Sequence, residues 1–191
     1  MTGRFIAIVG PSGVGKDSVM EALAAAEPSL KLVRRVITRP GDAGGEEFDA
    51  VTEAEFLQRK ARGDFVLSWQ AHDLRYGIPV ATARDLADGR DVLANLSRSV
   101  LPAARAVFPS LQVIVLTASR DVLARRLAAR NRETAKDIAQ RLDRADFAMP
   151  PEISAFTVDN SGPLGQTVDA ILTHLATGSS EPRPATCESQ T

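Results

Sequence analysis

The stretch Gly10-Pro-Ser-Gly-Val-Gly-Lys16 decides the fold of this chain. It follows an apolar run from Phe5 to Val9, which predicts a buried strand, and it leads into Lys16 to Ala26, whose apolar spacing predicts a helix. A strand, a G-x-x-x-x-G-K loop and a helix in this order form a loop that binds phosphates. We therefore predict that ATP phosphates are bound here, by Gly10, Pro11, Ser12, Gly13, Val14, Gly15, Lys16, Asp17 and Ser18.

Two residues at the junction between this phosphate loop (Gly10 to Lys16) and the helix are candidates for a role in phosphate transfer. Lys16 can reach the β- and γ-phosphates and offset their charge during transfer. The next position in such loops is usually Ser or Thr, whose hydroxyl binds Mg²⁺, but here it is Asp17. A carboxylate is a good Mg²⁺ ligand, so one interpretation places Asp17 in a metal site. The other makes Asp17 an ordinary acidic residue that stabilises the first helical turn.

The rest of the chain alternates apolar strand patterns with helical patterns. This alternation predicts an α/β fold, with a parallel five-stranded sheet and helices on both of its faces. The segment from Tyr76 to Pro79 predicts a turn because it contains Gly and Pro. We expect one domain over residues 1–176, with a core (1–37 and 90–176), an acceptor-binding insertion (38–89), a lid (about 125–142) and a disordered tail (177–191). Further strands are predicted at 32–37, 65–69, 91–96, 111–117 and 155–158. Further helices are predicted at 53–62, 82–88, 100–108, 120–130, 135–148 and 164–175.

Composition narrows the class of protein. The chain has 191 residues and is 44% hydrophobic, which fits one globular domain. Its net charge of −1 produces no strong electrostatic field that would attract nucleic acid or a membrane surface. No apolar stretch approaches the roughly 20 residues that cross a bilayer. The one cysteine, Cys187, lies in the polar tail and permits no disulfide within the chain. A cytoplasmic enzyme acting on a small molecule is the simplest expectation.

With the phosphate loop, Arg35-Val-Ile-Thr-Arg-Pro40 and Tyr76-Gly77, the chain resembles guanylate kinases from about Arg4 to Leu175. That resemblance implies that the insertion binds the acceptor, with Arg39 and Tyr76 on its phosphate and Arg35 nearby. Guanylate kinases, however, read guanine with a Glu at the position of Ser68. They also carry an Asp-x-Asp run in the strand that here contains Asn95 and Arg98. The pocket has therefore lost acceptors that guanine needs and has gained a cation.

A second resemblance fits these departures. The segments Gly15 to Ser18, Ile37 to Pro40, Ser68 to His72, Leu74 to Pro79 and Asn95 to Arg98 together look like ribose 1,5-bisphosphate phosphokinases of phosphonate degradation. That family also has Asp after the loop Lys. The resemblance implies that ATP and Mg²⁺ convert ribose 1,5-bisphosphate to 5-phosphoribosyl 1-diphosphate and ADP. It implies acceptor contacts from Arg35, Arg39, Ser68, His72, Tyr76, Asn95 and Arg98. One departure is Asp73, where glycine is expected.

A basic helix follows the most apolar strand. Arg126 and Arg130 lie one turn apart, while Leu123 and Leu127 define the core-facing side. By resemblance to guanylate kinases, this region is a lid that closes over the ATP phosphates with Arg126, Arg130 and Arg141. The alternative is a solvated basic face that is paired with neighbouring carboxylates.

Two rival functions differ from the sugar-bisphosphate kinase. One is an ordinary nucleoside monophosphate kinase for GMP, against which Ser68 and the segment from Asn95 to Arg98 argue. The other is a guanylate-kinase-like fold kept only as a protein-interaction module. Such modules typically lose the loop Lys, whereas Lys16 is present. The sequence therefore favours an enzyme.

Overall fold

The structure is a computed structural model that describes residues 2–40, 47–71, 73–129 and 149–177. Strands and helices alternate through most of these ranges, as the sequence predicts. The strands are Phe5–Val9 (β1), Lys31–Leu32 (β2), Arg35–Ile37 (β3), Phe48–Ala50 (β4), Phe65–Ala71 (β5), Leu74–Pro79 (β6), Val92–Asn95 (β7), Leu111–Thr117 (β8) and Phe156–Asp159 (β9). The helices are Lys16–Ala26 (α1), Glu53–Ala61 (α2), Ala81–Ala87 (α3), Leu101–Val107 (α4), Arg120–Ala128 (α5) and Leu164–Thr177 (α6).

The central sheet has five strands in the order β2-β7-β1-β8-β9, and all of its pairings are parallel. Its middle strand, β1, is buried along its whole length. A strand that is covered on both faces must be apolar at every position, which is why Phe5 to Val9 shows no polar alternation. The predicted five-stranded parallel sheet is confirmed.

Helices cover both faces of this sheet. Alternate residues of β1 point to opposite faces and pack in two separate hydrophobic clusters. Ile6 and Ile8 pack in the cluster that contains residues of α1, α5 and α6. Phe5, Ala7 and Val9 pack in the other, which contains residues of α4 and of the second sheet. The phosphate loop leaves the sheet between these two layers.

The second sheet is smaller and has the order β4-β3-β6-β5. β3 is parallel to β4 and antiparallel to β6, which forms a hairpin with β5. Leu67 and Ile78 of this hairpin join the core cluster beside Phe5 and Ala7, so this face of the sheet rests on the central layer. Helix α2 lies against β5, where the rings of Phe56 and Phe65 stack with centroids 4.7 Å apart.

The predicted strand over 32–37 is wrong, because the structure divides it between two sheets. Lys31–Leu32 pairs with β7 at the edge of the central sheet, and Arg35–Ile37 pairs with β4 and β6 in the second sheet. The chain has to leave the edge of one sheet to enter the other. Residues of one predicted strand therefore pair in two different sheets.

The predicted turn from Tyr76 to Pro79 is also wrong, because these residues end strand β6. Gly77 is accommodated in the strand because the ring of Phe65 covers it, and a Cβ there would lie 2.6 Å from that ring. The chain reverses its direction before this segment, between the paired residues Ala71 and Leu74. Asp73 in this hairpin has a left-handed φ of 59°, a conformation that suits glycine and explains why glycine is expected there.

The helix predictions are confirmed to within a few residues. Thr52 and Ser119 cap α2 and α5 by accepting hydrogen bonds from Glu55 N and Val122 N. The predicted helix over 135–148, the residues His72, Arg130 and Arg141, and the tail beyond 177 lie outside the described residues. Among the helices that the structure describes, none is long and apolar enough to span a membrane.

Candidate active site

The candidate site lies at the carboxyl ends of the parallel strands. Asn95 at the end of β7 is paired with Ile8 of β1, just before the phosphate loop begins. Thr117 and Asp159 are paired at the corresponding ends of β8 and β9. Open parallel sheets bind their ligands at this edge, because the loops that follow the strands converge there.

The phosphate loop requires glycine at three positions, since Gly10, Gly13 and Gly15 all have a positive φ. Gly13 has a φ of 84° and Gly15 a φ of 93°, both in the left-handed region. Gly13 also lies against α5, where an added Cβ would be 3.0 Å from Leu127 Cγ. Gly15 directly precedes the first turn of α1. A left-handed residue before a helix N-terminus lets consecutive backbone N–H groups converge on an anion, which is the geometry that a triphosphate needs.

Lys16 folds back over the loop. Its Nζ donates hydrogen bonds to the carbonyl oxygens of Gly10 and Pro11, each at 3.0 Å. These contacts hold the ammonium group in the concave part of the loop. The phosphate oxygens of a nucleotide would meet a positive charge that is already in place.

The carbonyl group of Val14 is the point at which the rest of the protein holds the loop. It accepts a hydrogen bond of 2.7 Å from Asn160 Nδ2 and one of 3.1 Å from Arg126 Nη1. Thr167 of α6 donates in turn to Asn160 Oδ1 at 2.7 Å. Asn160 and Thr167 are 3% and 2% exposed, so this chain of hydrogen bonds is shielded from water. Residues from two distant parts of the sequence thus hold one peptide group.

A cavity of about 340 Å³ adjoins the loop on the side of Asn160. Its volume falls in the usual range for small-molecule sites, and its position beside the phosphate loop suits the nucleoside part of a nucleotide. Sequence reasoning did not identify Asn160, although the turn-forming Ser161-Gly162-Pro163 directly after the last strand was an available signal. The lining residues are Gly13, Gly15, Ser18, Arg126, Ala129, Asn160, Gly162 and Leu164.

Asp17 is the second residue of α1, where a carboxylate is favoured by the helix dipole. Its Oδ1 accepts a hydrogen bond of 3.3 Å from Asn95 Nδ2. Within the described residues, no other side chain donates to this carboxylate, and no group of three or more metal-ligating side chains occurs. Mg²⁺ in nucleotide sites is commonly held by one or two carboxylates together with phosphates and water. A single half-buried carboxylate beside the phosphate loop fits that mode.

The second sheet contains an aromatic stack that includes Tyr76, one of the residues predicted to contact the acceptor. Trp69 of β5 and Tyr76 of β6 are cross-strand partners whose rings lie parallel, with centroids 5.1 Å apart. The guanidinium of Arg35 lies over this stack, 5.1 Å from the Tyr76 ring and 6.0 Å from the Trp69 ring. Arg35 is 5% exposed, so the stack contains a buried positive charge. Trp69 Nε1 donates to Ser97 Oγ at 3.3 Å, which links the insertion to the end of β7.

Other predicted acceptor residues are placed differently. Ser68 is the cross-strand partner of Gly77, and strand alternation directs it to the face opposite Trp69 and Tyr76. Arg39 follows β3, with its guanidinium 4.2 Å from the centroid of the Phe48 ring.

Arg98 begins a short turn of 3-10 helix after β7, and burial lowers the pKa of its guanidinium. An arginine nevertheless remains charged at neutral pH. The structure brings Arg35 to Tyr76, Asn95 to Asp17 and Arg126 to the phosphate loop. His72, Arg130 and Arg141 fall outside the described residues.

A larger cavity of about 520 Å³ lies away from this site, between α2 and the second sheet. Its charged side chains neutralise one another: Arg59 pairs with Glu55 at 2.6 Å, and Arg62 pairs with Asp64 at 2.8 Å. None of its lining residues belongs to the phosphate loop. We therefore leave it out of the candidate site.

Comparison with known proteins defines the class first. The family model described as guanylate kinase matches residues 2–176, and the chain belongs to this family of ATP-dependent phosphotransferases. A crystal structure of guanylate kinase from Anaplasma phagocytophilum superimposes with a TM-score of 0.70 at 18% identity, covering 94% of this chain and 88% of that one. At this identity, the likeness supports the fold alone.

Within this class, the chain is more similar in sequence to ribose 1,5-bisphosphate phosphokinases. It is 49% identical over 183 residues to the one from Agrobacterium fabrum, which covers 93% of this chain and 100% of the relative. It is 46% identical over 189 residues to a bifunctional ribose 1,5-bisphosphokinase-thymidine phosphorylase from Cupriavidus necator. This second match covers 96% of the chain, which spans 31% of that relative's length.

Proposed function

We propose that this chain transfers the γ-phosphate of ATP to ribose 1,5-bisphosphate, giving 5-phosphoribosyl 1-diphosphate and ADP. The names of its relatives support this acceptor, at 49% identity over nearly the whole chain in one case. The geometric observation that carries the proposal is the buried guanidinium of Arg35 over the Tyr76 ring. A fixed cation beside a phenol suits a phosphate of the acceptor.

The donor site follows from the phosphate loop. We propose that the triphosphate lies along the loop under Lys16, with its nucleoside in the cavity beside Asn160. Asp17 would hold Mg²⁺ together with the phosphates, because its carboxylate stands at the loop with one oxygen not engaged by Asn95. Mg²⁺, when bound, supplies neutralisation of the triphosphate charge.

The reaction requires no general base. The attacking group is a phosphate oxygen on the sugar, which is already ionised near neutral pH since its second pKa is about 6. A new O–P bond forms to the γ-phosphorus while the β–γ anhydride bond breaks, and ADP leaves with the bonding electrons. The task of the protein is to bring two polyanions together, for which Lys16, Arg35 and Arg39 provide cationic side chains.

The lid arginines stay a proposal. Arg126 supports the phosphate loop through Val14 and lines the nucleoside cavity, so it would bind on the donor side. For Arg130 and Arg141, we propose contacts with the transferring phosphate, on the resemblance to guanylate kinases. We also propose that the chain is divided into a core, an acceptor-binding insertion over 38–89 and a tail. We propose a cytoplasmic location and a role in phosphonate catabolism.

Phosphorylation of GMP is the second candidate, since the family model that matches the chain is described as guanylate kinase. The test is to incubate the full chain with ATP and Mg²⁺ plus either acceptor and to measure ADP release. We expect release with ribose 1,5-bisphosphate and little with GMP. Release with GMP alone would replace our proposal with the second candidate. A failure to bind ATP in calorimetry would instead favour a non-catalytic interaction module.

A further inference from the structure

We infer that Asn95 is a positioning residue of the donor site: its amide holds the Asp17 carboxylate in the place from which Asp17 binds the metal of the nucleotide. The resemblance to known kinases implies instead that Asn95 contacts the acceptor. The inference rests on the proposed use of ATP with Mg²⁺, but it does not depend on which acceptor is phosphorylated.

The placement of the two residues supports this role. Asn95 is the last residue of β7, and its register partner Ile8 stands one residue before the end of β1. Asp17 is the second residue of α1, which follows the phosphate loop. The two residues are 78 positions apart in sequence, yet Asn95 Nδ2 lies 3.3 Å from Asp17 Oδ1. The bond therefore spans the mouth of the loop, from the central sheet to the helix.

The chemistry of an amide suits this task. A carboxylate has room for about four hydrogen bonds or metal contacts, so one N–H donor leaves the rest of Asp17 available to a cation. A Lys or Arg at position 95 would neutralise the carboxylate and compete with the metal, whereas Asn orients it without adding charge. An Asp at position 95 would face Asp17 as a second carboxylate, which is unfavourable until a cation lies between them.

Mutation of partners that orient a metal ligand typically lowers metal affinity by about 10–100-fold. The contact here is long, at 3.3 Å, and both side chains are half-buried. We therefore expect an effect at or below the low end of that range, about threefold to tenfold.

The experiment measures nucleotide binding by calorimetry, in excess Mg²⁺ and in a chelator, without any acceptor. For Asn95→Ala we expect ATP binding in Mg²⁺ to weaken about threefold to tenfold, while binding in the chelator stays unchanged. Asp17→Asn should weaken the same component at least as much, and the double variant should be no worse than Asp17→Asn. Additive losses would overturn the inference, because independent sites add.

Two further variants sharpen the test. Asn95→Asp keeps the size of the side chain and should make ATP binding more dependent on Mg²⁺, by weakening it in the chelator. An Asn95→Asp protein that behaves like wild type would contradict the inference. Asp121→Asn is the matched control, since Asp121 is the second residue of α5, as Asp17 is of α1, but is exposed to solvent. We expect no change in nucleotide binding for this control.

Acceptor kinetics separate the two roles of Asn95. Under the inference, Asn95→Ala raises the Mg²⁺ concentration needed for half-maximal rate and leaves the acceptor KM close to wild type. A raised acceptor KM with an unchanged Mg²⁺ requirement would assign Asn95 to the acceptor and overturn the inference. If the wild-type protein fails to use ribose 1,5-bisphosphate, the nucleotide-binding experiment still tests the role of Asn95, because it contains no acceptor. A wrong acceptor can therefore be distinguished from a wrong role for Asn95.

Discussion

Replacement of Thr167 by Val tests the support of the phosphate loop. The Thr167 hydroxyl donates to Asn160 Oδ1 at 2.7 Å, and Asn160 in turn donates to the carbonyl of Val14. Valine has nearly the same shape and a similar helix propensity, so the change removes one donor and leaves little else altered. Within the described residues, Asn160 Oδ1 has no other donor, and Asn160 is 3% exposed.

The expected magnitude follows from that burial. A buried acceptor that loses its partner costs about 1–3 kcal/mol, so we expect Thr167→Val to lower the free energy of unfolding by about 2 kcal/mol. For a domain of this size, that corresponds to a drop in Tm of roughly 4–8 °C. Because Asn160 also fixes Val14, ATP affinity should fall by roughly fivefold, equivalent to about 1 kcal/mol.

Urea unfolding, thermal melting and ATP calorimetry measure these effects. The control is Thr173→Val, since Thr173 is an exposed residue of the same helix, α6. Its effect on stability should stay within about 0.5 kcal/mol. If Thr167→Val is no more destabilising than Thr173→Val and binds ATP as well, the loop does not depend on this chain of hydrogen bonds.

Three other changes have defined outcomes. Lys16→Met should lower kcat by about 100-fold or more while the free energy of unfolding changes by less than about 1 kcal/mol, because we propose that the ammonium group binds the transferred phosphate; kinetics and urea unfolding check this, and retained turnover would contradict it. Gly77→Ala should destabilise the fold by about 1–3 kcal/mol, because its Cβ would lie 2.6 Å from the ring of Phe65; a stability equal to wild type in thermal melting would refute the close approach. At Asp73, where φ is 59°, Ala should be less stable than Gly by about 1 kcal/mol, and equal stabilities would show that the hairpin has shifted.

The sequence allowed the donor half of the site to be predicted because its signal is local. The strand, the glycines, Lys16 and the first turn of α1 are contiguous, and each constrains the backbone of the next. The central sheet was predictable for a related reason, since a strand that is buried on both faces must be apolar throughout.

The errors and omissions have physical causes. A strand pattern such as Leu32 to Ile37 indicates an extended backbone but not in which sheet its residues pair. Gly77 indicates a turn until the ring of Phe65 is seen to cover it. The bond from Asn160 to Val14 joins residues 146 positions apart, so no local pattern could reveal it.

The most direct test of the proposed function identifies the product. Phosphorus NMR of the full chain with ATP, Mg²⁺ and ribose 1,5-bisphosphate should show the resonances of ADP and of a sugar diphosphate at C1, while Lys16→Met under the same conditions should show neither. The account would be contradicted if ribose 1,5-bisphosphate were left unchanged while a parallel sample with GMP in its place formed GDP.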